Sequence, residues 1–424
     1  MRGFGRRAYR MRLTFVADMR SPTALQWIRH FVARGYEVQA ISSYPVPGNV
    51  IAGAETMSLP LVLAGRGQRS VTGLERPEGA HRPSIQAHVA QWMTPRRVAA
   101  IRDLFGPALV QAKRGRLNRL IEQHQPDLVH AMRIPFEGMA VRALTGPPVV
   151  VSVWGNDFTL HAKRSRIMAK ATRRALATAG ALHCDCYRDA RIAVEWGFDP
   201  DRPTWVMPGN GGVNRSVFRP GQSNFHDRLR IPRETILIMN PRGICEYVRT
   251  DVFFRALPAV FRTFPDVHVV CPGMAGSRYA ENMITGCRLD HSRIHLLPTL
   301  EHTVMADIFR SSRVSVSLSE HDGTPNSLLE AMACGALPVV GDVASVREWI
   351  CNGINGVVVS DLTPVTAAAA IIRALKDDAL VQAGREKNGR LIAERADYNN
   401  NMLAVESRYE ALVKSRSGTA ARAN

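Results

Sequence analysis

The sequence predicts an α/β protein made of two doubly wound parallel-sheet domains, and three observations carry that expectation. Its 424 residues are close to three times the roughly 150 residues of one domain, which sets two domains, or three at most. Strand, helix and strand alternate through both halves of the chain. A single stretch, Thr204–Pro220, breaks this rhythm with glycines and prolines and reads as the exit from the first domain. The boundaries follow: residues 1–218, then 219–385 entered through a linker running to 233, then a terminal helix with its tail over 386–424 that crosses back to the first domain.

Each element has its own signal. Leu13–Val16 is an apolar strand, Ala17–Pro22 a loop, and Leu25, Ile28 and Val32 recur at helical spacing until Gly35 ends the helix. Glu37–Ile41 returns to extended character, which completes a strand, helix, strand unit. Asp127–His130 follows a polar helix and precedes Gly138–Val141. Pro148–Val153 and Gly180–Cys184 read as buried strands. The second half repeats the pattern with strands at Thr235–Met239, Val267–Cys271, Val314–Leu318, Pro338–Val340 and Gly356–Val359. Helices are expected at 250–263, 301–310 and 326–334, with a last one over 386–414. In open parallel sheets, ligands bind outside the carboxyl ends of the strands, so a site is expected there, between the two halves.

Composition excludes several classes. With 46% hydrophobic and 22% charged residues, the chain is neither disordered nor fibrous. No apolar run reaches about 18 residues, so no membrane-spanning helix is expected. The basic start Met1–Arg10 precedes no long apolar run, so secretion is not expected either, and Met11 is a candidate start. Seven scattered cysteines suit a reduced, cytoplasmic chain, and Cys184-Asp185-Cys186 has no second pair to make a metal site. No metal ligand is assigned.

The net charge of +18 is unevenly spread. Residues 1–218 hold 31 Lys and Arg against 15 Asp and Glu, a net +16, whereas residues 219–424 hold 24 against 22, a net +2. Arg66, Arg69, Arg76, Arg82, Arg96, Arg97, Arg102, Lys113, Arg114, Arg116 and Arg119 face three acids over 61–120, and Lys163–Arg174 contains none. Such a field attracts an anionic partner: a phospholipid surface, a phosphorylated acceptor or nucleic acid.

The most informative segment is Val314–Gly335. A strand ends at Leu318, the loop carries Glu320 and Asp322, and Thr324-Pro325 has the pattern of an N-cap followed by proline at the first helical position. The N–H groups of that helix start, at Asn326 and Ser327, and the loop amides around Gly323 and Thr324 favour negative charge, as a diphosphate needs. Asp322 and Glu330 are acceptor-only carboxylates flanking this cradle, and suit sugar and ribose hydroxyls.

Asp322-Gly-Thr-Pro-Asn-Ser-Leu-Leu-Glu330-Ala-Met-Ala-Cys-Gly335, followed by Leu337–Val340, resembles the signature of glycosyltransferase family 4, retaining enzymes of the GT-B fold. Val206–Asn214 is similar to the family's interdomain turn, Pro126–Ala131 to its acceptor-domain strand and Trp349–Gly356 to the segment after the signature. The resemblance covers about residues 11–412 and implies that Asp322 contacts the donor sugar and Glu330 the ribose. The first acid of the family pattern is usually glutamate, so Glu320 is the alternative to Asp322. After Ile236–Met239 the family has Gly-Arg-Leu and a lysine five residues beyond the arginine, two cations that hold the diphosphate. Arg242 matches the arginine, Tyr247 stands where the lysine would be, and Arg249 is its substitute. In the first domain Trp154 replaces the family's histidine, with Asn156 and Asp157 beside it; Arg20, His130 and Arg133 are further acceptor-side candidates.

The function implied is transfer of a sugar from a nucleoside diphosphate donor, with Asp322, Glu330 and Arg242 at the reacting centre, to a glycan, lipid-linked or other anionic acceptor of cell-envelope polysaccharide or glycolipid synthesis. The resemblance implies GT-B domains facing each other across a cleft, retained configuration, no obligatory cofactor or metal, and no dedicated base, since a leaving phosphate oxygen takes the acceptor proton. Arginines and helix dipole suffice to offset the diphosphate charge. A chain so placed would be cytoplasmic or peripheral on the inner face of the membrane. Two rivals remain: a nucleotide-sugar 2-epimerase of the same fold, and a basic nucleic-acid-binding protein. The second is disfavoured because only 7% of residues are aromatic and the sequence shows no helix-turn-helix, zinc finger or aromatic-interleaved basic strand.

Overall fold

The computed structural model describes residues 11–62 and 95–423. The chain forms two units. The first comprises the chain up to Asp185, Asp189–Asn210 and everything from Met402; the second comprises Cys186–Arg188 and Gly211–Asn401. Arg66, Arg69, Arg76 and Arg82 lie outside the described residues, as do the side chains of Arg96 and Arg97.

The sheet of the first unit has seven parallel strands in the order β3-β2-β1-β4-β5-β6-β7. They are β1 (Arg12–Ala17), β2 (Glu37–Ser42), β3 (Glu55–Ser58), β4 (Leu128–Ala131), β5 (Val149–Val153), β6 (Ala181–Cys184) and β7 (Thr204–Val206). β7 is an addition to the expected set: Thr204-Trp205-Val206, which begins the Gly/Pro-rich stretch, pairs with Leu182-His183-Cys184. Helix α1 (Pro22–Ala33) covers one face through Ala24, Leu25, Trp27, Ile28 and Phe31, all buried. On the other face, α2 (Pro95–His124) and α3 (Arg166–Thr178) bury Leu117, Ile121, Met168 and Leu176 against Val129, Val151 and Leu182.

The chain beyond Met402 belongs to this unit. Tyr409 stacks on Phe31 with ring centroids 5.1 Å apart, and the Glu406 carboxylate accepts from His30, Arg34 and Tyr36 at 2.7, 3.0 and 3.1 Å. Beneath it lies a directed hydrogen-bond chain. Trp27 Nε1 can only donate and the Met207 carbonyl can only accept, so every proton between them is assigned. Trp27 donates to Tyr409 Oη (3.2 Å), Tyr409 to His130 Nδ1 (2.5 Å), His130 Nε2 to Ser152 (2.8 Å), Ser152 to His183 Nδ1 (2.9 Å), and His183 Nε2 to Met207 O (3.1 Å). Burial keeps both imidazoles neutral, with His183 lowered to about 4.

The second unit holds six parallel strands in the order β10-β9-β8-β11-β12-β13. They are β8 (Leu237–Met239), β9 (His268–Pro272), β10 (Ile294–Leu297), β11 (Ser312–Ser317), β12 (Leu337–Gly341) and β13 (Val357–Val359). α4 (Thr250–Thr263) and α7 (Pro364–Lys376) bury Phe253, Leu257, Ala367 and Ile371 on one face. α5 (His302–Ser311) and α6 (Asn326–Cys334) bury Phe309, Leu329 and Met332 on the other.

The terminal helix expected over 386–414 is two helices, α8 (Asp378–Arg395) and α9 (Tyr398–Ala423). The break is enforced locally: the Ala396 carbonyl accepts from Val213 N at 2.7 Å and Tyr398 N donates to the Val213 carbonyl at 3.1 Å, so both groups leave the helical ladder.

Candidate functional site

β8 and β11 are neighbours, with Ile238 opposite Val314 and Met239 opposite Ser315, while β9, the next strand in the chain after β8, lies on the other side of β8. Chain order therefore reverses between β8 and β11, and such a reversal opens a crevice over the carboxyl ends of the two strands. The loops Asn240–Arg249 and Leu318–Pro325 rise from those ends and lead into α4 and α6.

These loops bring Arg242 and Asp322 together across 80 residues of sequence, with Arg242 Nη2 2.7 Å from Asp322 Oδ2. Asn240 Oδ1 accepts from Arg242 N at 3.2 Å and so folds the chain back at the strand end. The Asp322 carbonyl is gripped by Arg188 Nη1 and Ser345 Oγ, each at 2.7 Å, and Asp322 Oδ1 accepts from Gly323 N at 3.2 Å. Arg242 Nη1 approaches Ser327 Oγ on α6 at 3.4 Å. Arg242 Nε and Ser319 Oγ are buried without a hydrogen-bond partner, two polar atoms whose desolvation a ligand oxygen would relieve.

Glu330, on the second turn of α6, keeps part of its surface open, yet desolvation raises its carboxyl to about 8. A carboxyl in that state is protonated at neutral pH, and hydroxyls that donate to it would favour its ionised form. Thr324 differs from the expected cap. α6 begins at Asn326, and Pro325, which makes no side-chain cap, holds the N-cap position; the Thr324 hydroxyl accepts from Trp349 Nε1 at 3.2 Å.

Arg249 and Glu320 lie together rather than apart. Arg249 donates to Asp251 through Nε and Nη2 at 3.0 and 3.2 Å, and to Glu320 Oε1 through Nη1 at 2.5 Å. Tyr247 binds the same two loops together, its carbonyl accepting from Glu320 N at 2.9 Å. Arg242 and Arg249 thus each already carry a carboxylate.

The first unit also reverses its chain order, between β1 and β4. Over those strand ends, Asp157 is a buried strut: Oδ1 accepts from Arg133 Nε at 2.7 Å, and Oδ2 from Trp154 N at 3.1 Å and Ile134 N at 3.4 Å. Burial raises its carboxyl while Arg133 pulls it back down. The Arg133 guanidinium lies 5.8 Å from the Trp154 ring centre, and Trp154 Nε1 and Asn156 Oδ1 are buried without partners. Arg20 pairs with Asp18 at 2.9 Å and stacks 3.7 Å from the Tyr44 ring. His130 is a correction: it is 0% exposed and belongs to the hydrogen-bond chain of the core, since a strand residue facing α1 has no path to the crevice.

A residue the sequence did not point to is Glu137. Its carboxyl is 2% exposed and receives a hydrogen bond from Ser43 Oγ. Phe136 before it has φ 71° and ψ −58°, the γ-turn geometry that non-glycine residues adopt only when the surroundings impose it. Desolvation raises Glu137 to about 8.

Two family models match this chain: Glycosyl transferase 4-like domain over residues 21–209 and Glycosyl transferases group 1 over residues 240–377. Together they span more than three-quarters of its length. A curated relative from Geodermatophilus obscurus, named D-inositol 3-phosphate glycosyltransferase, is 27% identical over 237 residues, which cover 53% of this chain and 51% of the relative. Another of that name, from Acidothermus cellulolyticus, is 26% identical over 211 residues, 47% and 46% of the two chains. The chain therefore spans about half the length of the curated relatives it matches. Among solved structures, sucrose-phosphate synthase from Thermosynechococcus elongatus superposes with a TM-score of 0.73 at 14% identity, covering 96% of this chain and 100% of that one. HepE from Anabaena, in complex with UDP and glucose, superposes with a TM-score of 0.67 at 12% identity, covering 95% and 100%. At such identities the likeness establishes the fold, two Rossmann-like domains of the GT-B class.

Proposed function

From the premise that this chain belongs to the group 1 glycosyltransferases, we propose that it transfers a sugar, with retained configuration, from a nucleoside diphosphate donor to an anionic acceptor. The observation that carries the donor half is the meeting of Arg242 and Asp322 over β8 and β11, beside the start of α6 and the desolvated carboxyl of Glu330. Diphosphate oxygens match the buried Arg242 Nε and the N–H groups of the α6 start. Sugar and ribose hydroxyls match the Asp322 carboxylate and the Glu330 carboxyl. The base is left open; UDP in the HepE complex makes uridine the first to test.

The acceptor half is assigned to the first unit, supported by its +16 net charge over residues 1–218 and by Arg20, Arg133, Trp154 and Asn156 over its strand ends. A phosphorylated polyol, in keeping with the name of the curated relatives, and lipid-linked or glycan acceptors of the cell envelope are the classes to present.

The test is nucleoside diphosphate release from UDP- and GDP-sugars with each acceptor class. Asp322→Ala should lower transfer tenfold to a hundredfold, about 1.5–3 kcal/mol of charge-assisted hydrogen bonding, while UDP still binds. Glu330→Ala should lower transfer and weaken UDP together. Full transfer by Asp322→Ala alongside an inactive Glu320→Ala would reassign the first acid.

A further inference from the structure

The second cation of the crevice is unlike the first. All three nitrogens of the Arg249 guanidinium are taken: Nε and Nη2 by Asp251, and Nη1 by Glu320 at 2.5 Å. The two acids hold it differently. Asp251 is two residues away in the first turn of α4, grips two nitrogens side by side, and completes a local ring that no movement of another element can open. Glu320 comes from the loop after β11, makes one contact, and its side chain is 43% exposed against 28% for Asp251.

Backbone geometry shows that the place of Arg249 is imposed. Its φ of 45° and ψ of 46° put a non-glycine residue in the left-handed region, directly before α4, a conformation that is uncommon unless surrounding contacts hold it. A guanidinium fixed at a helix start is well placed for an anion. Three of its five N–H donors are taken by carboxylate oxygens, however, so a phosphate meets a guanidinium whose charge is already offset.

Resting on the donor reading above, we propose that Glu320 is a displaceable counter-ion: it occupies Arg249 Nη1 in the empty site, and a nucleoside diphosphate competes with it for that nitrogen, so Glu320 lowers the affinity for the donor. Asp251 stays in place and orients the guanidinium, leaving Nη1 as the group that changes partner. Glu320 also presents a like charge to the incoming phosphates, so its presence weakens binding twice, by competition and by repulsion. Arg242 needs no such exchange, because its Nε is already unpartnered. An exposed carboxylate is suited to this role, since it regains full hydration when released.

Calorimetric titration of the full chain with UDP and with GDP decides it. Glu320→Gln keeps size and hydrogen bonding but removes the charge, and should tighten diphosphate binding three- to tenfold with an unchanged melting temperature; Glu320→Ala should do the same. Arg249→Ala should weaken binding, and adding Glu320→Gln to it should then change nothing, because the competitor has lost its target. Unchanged or weaker binding by both Glu320 variants, with wild type binding normally, overturns the counter-ion role alone. Failure of the wild-type chain to bind either diphosphate overturns the donor reading itself, and this inference with it.

Discussion

Among the described residues two carboxyls sit raised to about 8, Glu330 and Glu137, and desolvation is the first cause in both. Glu137 faces Ser43 and Tyr44 beyond β2, Asp18 beyond β1 and Arg133 on its own segment. Its effect on stability has a definite sign. Unfolded, the carboxyl releases its proton near 4.5; folded, it keeps it until about 8. The unfolded state therefore binds fewer protons in this window, and stability complete below 4.5 is lost as pH rises toward 8. At pH 7 the loss is on the order of 3 kcal/mol. Glu137→Gln mimics the neutral acid and cannot ionise, so its melting temperature should overtake that of wild type between pH 5 and 8; parallel profiles would refute the raised carboxyl. Glu137 was invisible in the sequence because its burial depends on the turn imposed at Phe136, which no local pattern encodes. Asp322 and Arg242 were legible because each stands at a fixed offset from a strand end. The Arg249–Glu320 pair was only half legible: both residues were candidates, but their partnership spans 71 positions.

At the scale of elements, legibility followed burial. β1, β2, β5 and β9 are nearly continuous buried runs, and α4 and α6 fall on the ranges their periodicity predicts. β10 escaped notice because Ile294-His295-Leu296-Leu297 is a partly exposed edge strand with little alternation. α7 carried a signal that was passed over: Thr363 and Thr366 form a capping box before an alanine-rich stretch. The placement of the donor loop also depends on β12. A Cβ at Gly341, the end of that strand, would lie 2.4 Å from the Ser319 carbonyl and 3.3 Å from the carbonyl carbon of Leu318. Backbone cannot yield there without moving the loop that carries Glu320 and Asp322. Gly341→Ala should therefore cost about 1–3 kcal/mol of stability and weaken UDP binding by about tenfold. Gly48→Ala, with open space around its Cβ, is the control, and UDP titration beside thermal melts reads both. Retained UDP affinity in Gly341→Ala would show that the loop is positioned by other contacts.

At the scale of the whole molecule, charge is the least evenly distributed property, and its position suggests a partner. No helix among the described residues is long and apolar enough to cross a membrane. α2 nevertheless exposes Leu104 and Phe105, 46% and 54% open, on a helix that also carries Lys113, Arg114, Arg116 and Arg119. Ile167, 47% exposed at the start of α3, is surrounded in sequence by Lys163, Arg164, Arg166 and Lys170. Bulky apolar tips among cations are the composition of a surface that rests on anionic headgroups. Each basic residue near such a leaflet contributes about 1 kcal/mol, so four give reversible docking. Salt should release it, because the Debye length falls to about 3 Å at 1 M. The prediction is that the full chain floats with liposomes containing anionic lipid and not with neutral ones. Changing Arg114, Arg116, Arg166 and Lys170 to Gln should abolish flotation while leaving UDP binding intact, since none of these residues belongs to the second unit. Phe105→Ser should weaken flotation without altering its salt dependence. Equal flotation with neutral and anionic liposomes would sink the electrostatic account. No flotation with either would leave a water-soluble anionic acceptor as the reason for the charge.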